Sequence, residues 1–167
     1  AWFSTRNDLS SSLKIREVFF ASLIIERKTQ EYLSYLRQKQ NQTCCIEAFF
    51  HVLSTEEDEN HMSNVFELIR KRSRLTSNQL SSIIIKNLSH EIHNGNFHMC
   101  ERILSLPLQS MQISLPTHVI IQLFHNCLDK NQLIRCISIL IERNLPYDAE
   151  YLLWLLIILF EHYNAVK

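Results

Sequence analysis

The densest group of side chains that could do chemistry lies between residues 90 and 100. His90, Glu91 and His93 stand close together, and His98 and Cys100 follow them. Imidazole and thiolate groups bind zinc, but a structural zinc site needs four ligands in a tetrahedral array. The spacing does not match this, nor does it match the zinc-protease helix, in which two His residues lie four apart around a Glu. A solvated helix end is therefore the favoured interpretation, and we predict no metal site.

Five cysteines offer a second kind of chemistry. Cys44 and Cys45 are adjacent at a predicted helix start, where the helix N-terminus can lower the pKa of a thiol and favour redox reactions. Cys100, Cys127 and Cys136 fall instead on apolar helix positions. Free cysteine packs as a small apolar residue in reducing compartments. We expect buried, reduced thiols in an intracellular protein, cytoplasmic or nuclear, with redox work at Cys44 and Cys45 as the alternative.

No arrangement of residues in the sequence predicts catalysis. His125 with Cys127, or His118 with Asp148, supplies suitable residue types, but their spacing has no meaning, because catalytic triads are recognised by geometry. The single Gly of the chain excludes a Gly-rich phosphate-binding loop. The sequence therefore predicts a protein that is not an enzyme, with no catalytic residue, no cofactor and no small-molecule substrate.

A run of cations, Arg70, Lys71, Arg72 and Arg74, is the best candidate for a nucleic-acid contact, because such residues neutralise phosphates. The favoured interpretation is structural, since basic residues at a helix C-terminus complement the helix dipole. The net charge of zero, from 17 basic and 17 acidic residues, also lowers the expectation of nucleic-acid binding. The first 45 residues nevertheless carry a small positive excess, with seven basic and four acidic residues.

Composition predicts the elements that must position these residues. The 167 residues are 46% apolar, enough for a substantial core, and they include one Gly and three Pro. All-β folds need many tight turns and therefore more of both residues. Long helices joined by short loops fit the composition instead. The predicted fold class is all-α.

Three segments share one apolar pattern behind a turn-forming residue. Asn60, Gly95 and Asn131 are each followed by apolar residues at offsets of two, five, eight and nine, and the segments start 35 and 36 residues apart. The apolar positions are Met62, Val65, Leu68 and Ile69, then Phe97, Cys100, Ile103 and Leu104, and then Leu133, Cys136, Ile139 and Leu140. Such a period is typical of stacked helical hairpins.

A recurring junction, in which Leu is followed by Thr or Pro, precedes the first helix of three predicted elements: Leu75-Thr76, Leu115-Pro116 and Leu145-Pro146. Together with the apolar pattern, this junction predicts one helical-repeat domain over residues 1–167, which we expect to be part of a larger protein. Its parts are a weakly repeat-like hairpin at 8–42, hairpins at 43–74, 75–106 and 116–144, and a terminal helix at 146–163.

Helix ends are predicted from residues that favour caps and turns. Asp8 or a Ser in Ser10–Ser12 is expected to cap the first helix, and Thr29 the second. The acidic turn 54–60 is expected to cap the helix after it, and Gly95 to end a helix in the left-handed conformation. The apolar positions expected to pack in the first helix are Leu13, Val18, Phe19, Leu23 and Ile24 or Ile25.

The second helices of these hairpins resemble those of the pentatricopeptide and tetratricopeptide superfamily of helical repeats. Residues 94–104 (Asn-Gly-Asn-Phe-His-Met-Cys-Glu-Arg-Ile-Leu) look like the turn and second helix of a pentatricopeptide unit, and so do residues 129–140. The Trp, Gly and Tyr signature of tetratricopeptide repeats is not present in order. The resemblance covers about residues 43 to 163. It implies a right-handed stack of about three to four antiparallel hairpins with a terminal helix, an α-solenoid.

The resemblance also implies two kinds of function, protein binding and single-stranded RNA binding. RNA readers of this superfamily place small polar residues early in each first helix, and one base is read per repeat. The rough equivalents here are Ile85 or Lys86 and Ile121 or Gln122, of which the isoleucines and the Lys depart from that pattern. The leading expectation is a non-enzymatic protein-interaction or scaffold module, with single-stranded RNA binding as the alternative.

The last predicted helix contains the longest apolar run, residues 151–160, between Glu150 and Glu161. A run of this length is about half of what a membrane span needs, so we predict no span. A helix that is apolar on every side must be buried all round. At the end of an array it has a neighbour on one side only, so a protein partner or a second copy is expected to cover the other. The interface candidates are Leu152, Trp154, Leu156, Ile158 and Phe160.

Overall fold

The computed structural model describes residues 2–111, 115–127 and 130–142, and residues 153, 157, 158, 160, 161 and 164. All regular secondary structure in these residues is helical, which confirms the predicted all-α class. One 3-10 helix covers Leu108–Met111. The α-helices of the described ranges are α1 (Trp2–Ile25), α2 (Thr29–Leu36), α3 (Gln42–Leu53), α4 (Glu59–Arg72), α5 (Ser77–His93), α6 (Phe97–Leu104), α7 (Thr117–His125) and α8 (Lys130–Glu142).

The chain divides into two compact units, Ala1–Thr76 and Ser77–Lys167. Within the first unit, α1 packs against α2 and α3, and α2 packs against α3 and α4. Within the second unit, α5 packs against α6 and α7, and α6 packs against α8. In both units a helix therefore contacts the helix two positions further along the chain. The assignment of residues 1–167 to one domain stays a prediction.

Aromatic side chains form the centre of the first unit. Tyr32, Phe49 and Phe66 are fully buried, and the rings of Phe49 and Phe66 lie 6.0 Å apart between centroids. The hydroxyl of Tyr32 donates a 2.8 Å hydrogen bond to the backbone carbonyl of Cys45, which joins α2 to α3. Burial without a partner would cost this hydroxyl free energy, so the bond lets an aromatic residue with a polar end occupy the core.

Aliphatic side chains and one ring form the centre of the second unit. Ile84 and Leu88 of α5, Ile103 of α6 and Phe124 of α7 are fully buried. At the edge of this core, Arg135 of α8 reaches α6, with its Nε atom 3.5 Å from Oε1 of Glu101. The same guanidinium lies 5.8 Å from the centroid of the Phe97 ring. A single side chain thus fastens α8 to α6 outside the apolar contact.

The three repeated segments lie on α4, α6 and α8 and supply the packed face of each helix. Leu68, Phe97 and Ile139 are half-buried, and the other nine apolar positions of the pattern are buried. A spacing of three and four residues places these side chains on one side of a helix. The pattern therefore marks where each helix packs.

The first helix begins earlier than the sequence indicated. Asp8 and Ser10–Ser12 lie inside α1, which starts at Trp2, so the prediction that one of them caps the helix was wrong. Residues 2–25 contain no Gly or Pro, and a Ser or Asp in a helix interior costs only a fraction of a kcal/mol, roughly 0.5. Thr29 is the first residue of α2, and Lys28 occupies the N-cap position without a capping side-chain bond.

Two predicted helix ends are confirmed. Oδ1 of Asp58 accepts a 3.0 Å hydrogen bond from the backbone N–H of His61, so the acidic turn does cap α4. Gly95 has φ +68°, the left-handed conformation that ends α5. Asn96 then caps α6, with its Oδ1 accepting from the backbone N–H of Met99 at 3.3 Å.

Candidate interaction surfaces

An apolar stripe lies on the helical residues near the C-terminal end. Leu153, Ile157 and Phe160 are all exposed, Phe160 at 67%. Each of these residues is helical, as is Asn164, and a spacing of four and three residues is that of side chains on one helix face. An open depression of about 680 Å³ runs along Ile157, Phe160, Glu161 and Asn164. We call Leu153, Ile157 and Phe160 the C-terminal stripe.

The predicted interface candidates meet this stripe only at Phe160. Ile158 is 2% exposed, so the chain itself covers its side chain. Leu152, Trp154 and Leu156 lie outside the described residues. Sequence reasoning missed Leu153 and Ile157, although their spacing to Phe160 is a signal that could have identified them.

A second apolar surface lies on α1. Leu13, Ile15, Val18 and Phe19 are exposed, and so is Ile25. The expectation that Leu13, Val18 and Phe19 pack in the core was therefore wrong. The buried residues of α1 are Phe20, Ala21, Leu23 and Ile24. Phe20 and Ile24 are four residues apart and so share one face of α1, and Phe19 lies about 100° away from Phe20 around the helix.

The cations at the end of α4 differ in whether a carboxylate pairs with them. Oε2 of Glu67 lies 2.7 Å from Nη2 and 3.2 Å from Nε of half-buried Arg70, a two-bond ion pair. Nζ of Lys71 lies 3.9 Å from the same oxygen. Arg72 and Arg74 are exposed and form no ion pair with any described residue. Only these last two cations are fully available to an anionic ligand.

The thiols are buried and poorly acidic. All five cysteines are buried and free of disulfides. Burial, followed by the nearby thiol of Cys44, raises the pKa of Cys45 to about 12. At the start of α3, burial thus outweighs the effect of the helix N-terminus, which would lower the pKa. The thiolate, which is the reactive form, is strongly disfavoured at Cys45.

Three of the thiols lie in the second unit. Sγ of Cys127 and Sγ of Cys136 lie 3.9 Å apart in the core. The hydrogen bond with Cys127 and burial raise the pKa of Cys136, and burial raises the pKa of Cys100 to about 12. Neutral thiols at these positions act as small packing residues.

The His and Cys side chains between residues 90 and 100 differ in solvent exposure. His90, His93 and His98 are exposed, whereas Cys100 is buried. Nε2 of His90 accepts a 2.9 Å hydrogen bond from Nδ2 of Asn94. Nowhere in the described residues do three or more His, Cys, Asp or Glu side chains group so that they could hold a metal ion.

The two residue pairs considered for catalysis, His118 with Asp148 and His125 with Cys127, do not form catalytic sites in the described residues. His118 is exposed, and Asp148 lies outside the described residues. His125 is exposed, and Cys127 is buried with its Sγ directed to the carbonyl of Leu123 at 3.3 Å. A buried thiol that is hydrogen-bonded to the backbone of the preceding helix is unsuited to nucleophilic attack.

No protein-family model, curated protein or solved structure matches this chain. The resemblance to pentatricopeptide and tetratricopeptide repeats thus rests on the residues of the sequence alone. Throughout the described part of the chain, the helices are too short or too polar to cross a lipid bilayer.

Proposed function

We propose that this chain is a right-handed stack of antiparallel helical hairpins that binds protein and has no catalytic activity. In both units helices contact the helix two positions further along the chain. Stacked hairpins produce this order of contacts, because each repeat packs on its neighbour, first helix to first and second to second. On this proposal the hairpins are α1–α2, α3–α4, α5–α6 and α7–α8, followed by a terminal helix.

The C-terminal stripe is the observation that carries the proposal. Large apolar side chains that share one helix face and remain in water mark a surface that gains free energy when a partner covers it. The buried neighbour Ile158 supports this, because the chain covers Ile158 and leaves Ile157 and Phe160 exposed. The occupant is a protein partner or a second copy of the chain.

The thiols support an intracellular location, cytoplasmic or nuclear. All five cysteines are unbonded, including Cys127 and Cys136 with their sulfur atoms in contact. Thiols persist in this form where the cell keeps them reduced.

Size-exclusion chromatography with light scattering tests the proposal on the wild-type chain and on Phe160→Glu. A second copy as occupant predicts a dimer whose fraction rises with concentration. A different protein as occupant predicts a monomer that captures one defined partner. In either case Phe160→Glu abolishes association and leaves the helical circular-dichroism spectrum unchanged, because Phe160 is exposed.

A matched control is Ile134→Glu, which places the same charge at an exposed apolar residue of α8 outside the stripe. This variant associates as the wild type does. A wild-type monomer without a partner, or equal loss of association in both variants, contradicts the proposal.

Single-stranded RNA binding is the second candidate, and the free cations Arg72 and Arg74 favour it. If these residues contact phosphates, the logarithm of the affinity falls with the logarithm of salt concentration, and neutralising each one reduces the slope by about one. Arg70→Gln changes the slope less, because Glu67 already neutralises Arg70. Lys28→Gln, at an exposed cation between α1 and α2 that pairs with Glu26, is the control. Absence of binding to single strands at low salt contradicts this function.

A further inference from the structure

A cavity of about 430 Å³ opens between α1, α2 and the turn that follows α2. It combines one cation, three aromatic rings and two amides. The lining residues are Arg16, Phe19, Phe20, Tyr35, Gln40 and Asn41. Neither the C-terminal stripe nor the cations at the end of α4 belong to it.

The aromatic rings form a supported platform. Phe20 is buried, and its ring centroid lies 5.3 Å from that of Tyr35. Phe19 is 44% exposed and meets Tyr35 edge to face, with centroids 5.6 Å apart and an interplanar angle of 84°. The buried ring and the tyrosine hold Phe19 in place while part of its surface remains in water. A planar ligand can stack on a ring presented in this way.

The amides add a hydrogen-bonding edge. Asn41 is 8% exposed and is the only amide or charged side chain that is buried among the described residues. Its Nδ2 donates to Oε1 of Gln38 at 2.9 Å, and no described residue donates to its Oδ1. This oxygen keeps access to water, so it is free to accept a hydrogen bond from an N–H group at the edge of a ligand.

One cation lines the opening, and two more lie in the turn beside it. Arg16 is exposed on its rim, and the turn that supplies Gln40 and Asn41 also carries exposed Arg37 and Lys39. None of these three cations forms an ion pair with a described residue. Residues 32–46 contain no Asp or Glu, so the cations of the turn lack a nearby negative charge in sequence. The site therefore favours an anionic ligand.

We propose that this cavity binds one unstacked nucleobase together with its phosphate, from a free nucleotide or from single-stranded RNA. The base stacks on Phe19, an N–H of the base edge donates to Oδ1 of Asn41, and the phosphate meets Arg16 and the cations of the turn. Proteins recognise unpaired bases by this combination of stacking, edge hydrogen bonds and phosphate contacts. A hydrocarbon ring from a peptide would leave the Asn41 oxygen unpaired.

This site is independent of the C-terminal stripe, so either proposal can fail without the other. It also differs from the cations at the end of α4. Variants at Phe19 and variants at Arg72 and Arg74 therefore separate a base-binding cavity from a phosphate contact elsewhere.

Fluorescence polarisation of labelled ten-nucleotide single strands of uridine and of adenosine tests the cavity on the full chain. We expect Phe19→Ala to weaken binding at least about fivefold, the loss of one stacked base, and Phe19→Trp to retain it. Val18→Ala is the matched control, because Val18 is 69% exposed on the same helix and does not line the cavity. Circular dichroism verifies that each variant is folded.

The phosphate contact is tested by the dependence of binding on salt. Arg16→Gln lowers the slope of log affinity against log salt by about one, whereas Lys14→Gln, at an exposed cation elsewhere on α1, lowers it less. Displacement by adenosine or uridine monophosphate identifies a free nucleotide as the ligand. Competition by single strands alone identifies RNA.

Three results would overturn the inference. The first is an affinity of Phe19→Ala equal to that of the wild type. The second is equally tight binding of polyphosphate, which has charge but no base. The third is displacement of RNA by an acidic peptide whose binding needs Phe19, which would assign the cavity to a protein ligand.

Discussion

Arg27 and Gly95 occupy the same position in two helix-ending turns. The position requires a left-handed backbone, and the two residues accommodate it differently. Both residues are left-handed, with φ +62° and +68°, and each follows the first helix of its unit. The backbone N–H of Arg27 donates to the carbonyl of Ile24, three residues back, and that of Gly95 donates to Ile92. In both turns the next N–H donates to the carbonyl five residues back. These two bonds define one helix-ending motif that occurs in both units.

The difference between the two turns is what the side chain supplies. Glycine takes the left-handed conformation without steric cost, whereas an L side chain there costs roughly 1–2 kcal/mol. The guanidinium of Arg27 lies 3.2 Å from Oε2 of Glu56 and 3.3 Å from Oδ2 of Asp58, so it bridges the end of α1 to the turn before α4. The first turn therefore accepts backbone strain and gains contacts distant in sequence, and the second avoids the strain.

The turn at Arg27 contains a second contact between distant segments, and the turn at Gly95 has no equivalent of it among the described residues. Nε2 of His61 donates a 2.8 Å hydrogen bond to the carbonyl of Ile24, one of the carbonyls at the end of α1. Asp58 caps α4 and also meets Arg27. The end of α1 and the start of α4 are thus held by one polar network. At Gly95 the polar contact is local, between Nδ2 of Asn96 and Oε2 of Glu91 at 2.8 Å.

Replacing the glycine gives the largest expected change. Gly95→Ala lowers the free energy of unfolding by about 1 kcal/mol, because the left-handed conformation disfavours a Cβ atom. A Cβ at this position would meet nothing within 4 Å, so the cost is conformational and not a clash. Urea unfolding followed by circular dichroism measures it. Gly95→Asn loses less, since Asn tolerates this conformation, and an alanine variant as stable as the wild type would show that the turn does not need glycine.

The same pair of turns shows what the sequence can predict. Gly95 between two Asn residues is a recognisable helix end, and its prediction is confirmed. Arg27 carries no such signal, because its conformation depends on Glu56 and Asp58, about thirty residues away. Local chemistry is readable from one segment, but a strained residue held by distant partners is not.

The surfaces follow the same rule. The repeated apolar positions identified the packed faces of α4, α6 and α8, because a helix period specifies which side is apolar. On α1, apolar residues occur on several sides, so the sequence placed Phe19 in the core where the structure exposes it. The cavity beside Phe19 joins α1, α2 and a polar turn, and its parts come together only in the folded chain.

Removing the Arg27 side chain should give a smaller effect that depends on pH. Arg27→Gly relieves the backbone cost but adds glycine flexibility to the unfolded chain, a net gain of about 0.5 kcal/mol. The lost ion pairs oppose this gain at pH 7. The backbone N–H of Asp58 and then the Arg27 guanidinium lower the pKa of Glu56, and the backbone N–H of His61 together with Arg27 lowers that of Asp58.

The sign of the pH effect follows from these lowered pKa values. A carboxyl group whose pKa is lower in the folded state stabilises the fold above its unfolded pKa of about 4, and this contribution is lost as pH falls through the folded value. Arg27→Gly lacks part of this carboxylate contribution. Its unfolding free energy, minus that of the wild type, should therefore be higher at pH 3 than at pH 7. Arg27→Ala loses the same ion pairs but keeps the strained backbone, and should be less stable than Arg27→Gly at both pH values. A difference between Arg27→Gly and the wild type that does not change with pH would exclude the guanidinium as a source of acid sensitivity.

The residue after each left-handed position gives the smallest and sharpest test. Lys28 and Asn96 are both N-cap residues with similar backbones, at φ −82° and ψ 56° and at φ −84° and ψ 74°. Only Asn96 accepts a hydrogen bond from its own helix. Lys28→Asn should therefore supply the missing bond to the start of α2 and raise the unfolding free energy by about 0.5 kcal/mol.

The reciprocal change, Asn96→Lys, tests whether the two turns are equivalent. It removes the bond to Met99, which is long at 3.3 Å, and the contact with Glu91, and should lower the unfolding free energy by about 0.5 kcal/mol. Urea unfolding of both variants at pH 7 measures the two changes. Opposite signs would show that one turn geometry serves both units and that the cap residue alone differs. A loss of stability in Lys28→Asn would mean that the strained backbone at Arg27 leaves no room for a capping side chain beside it.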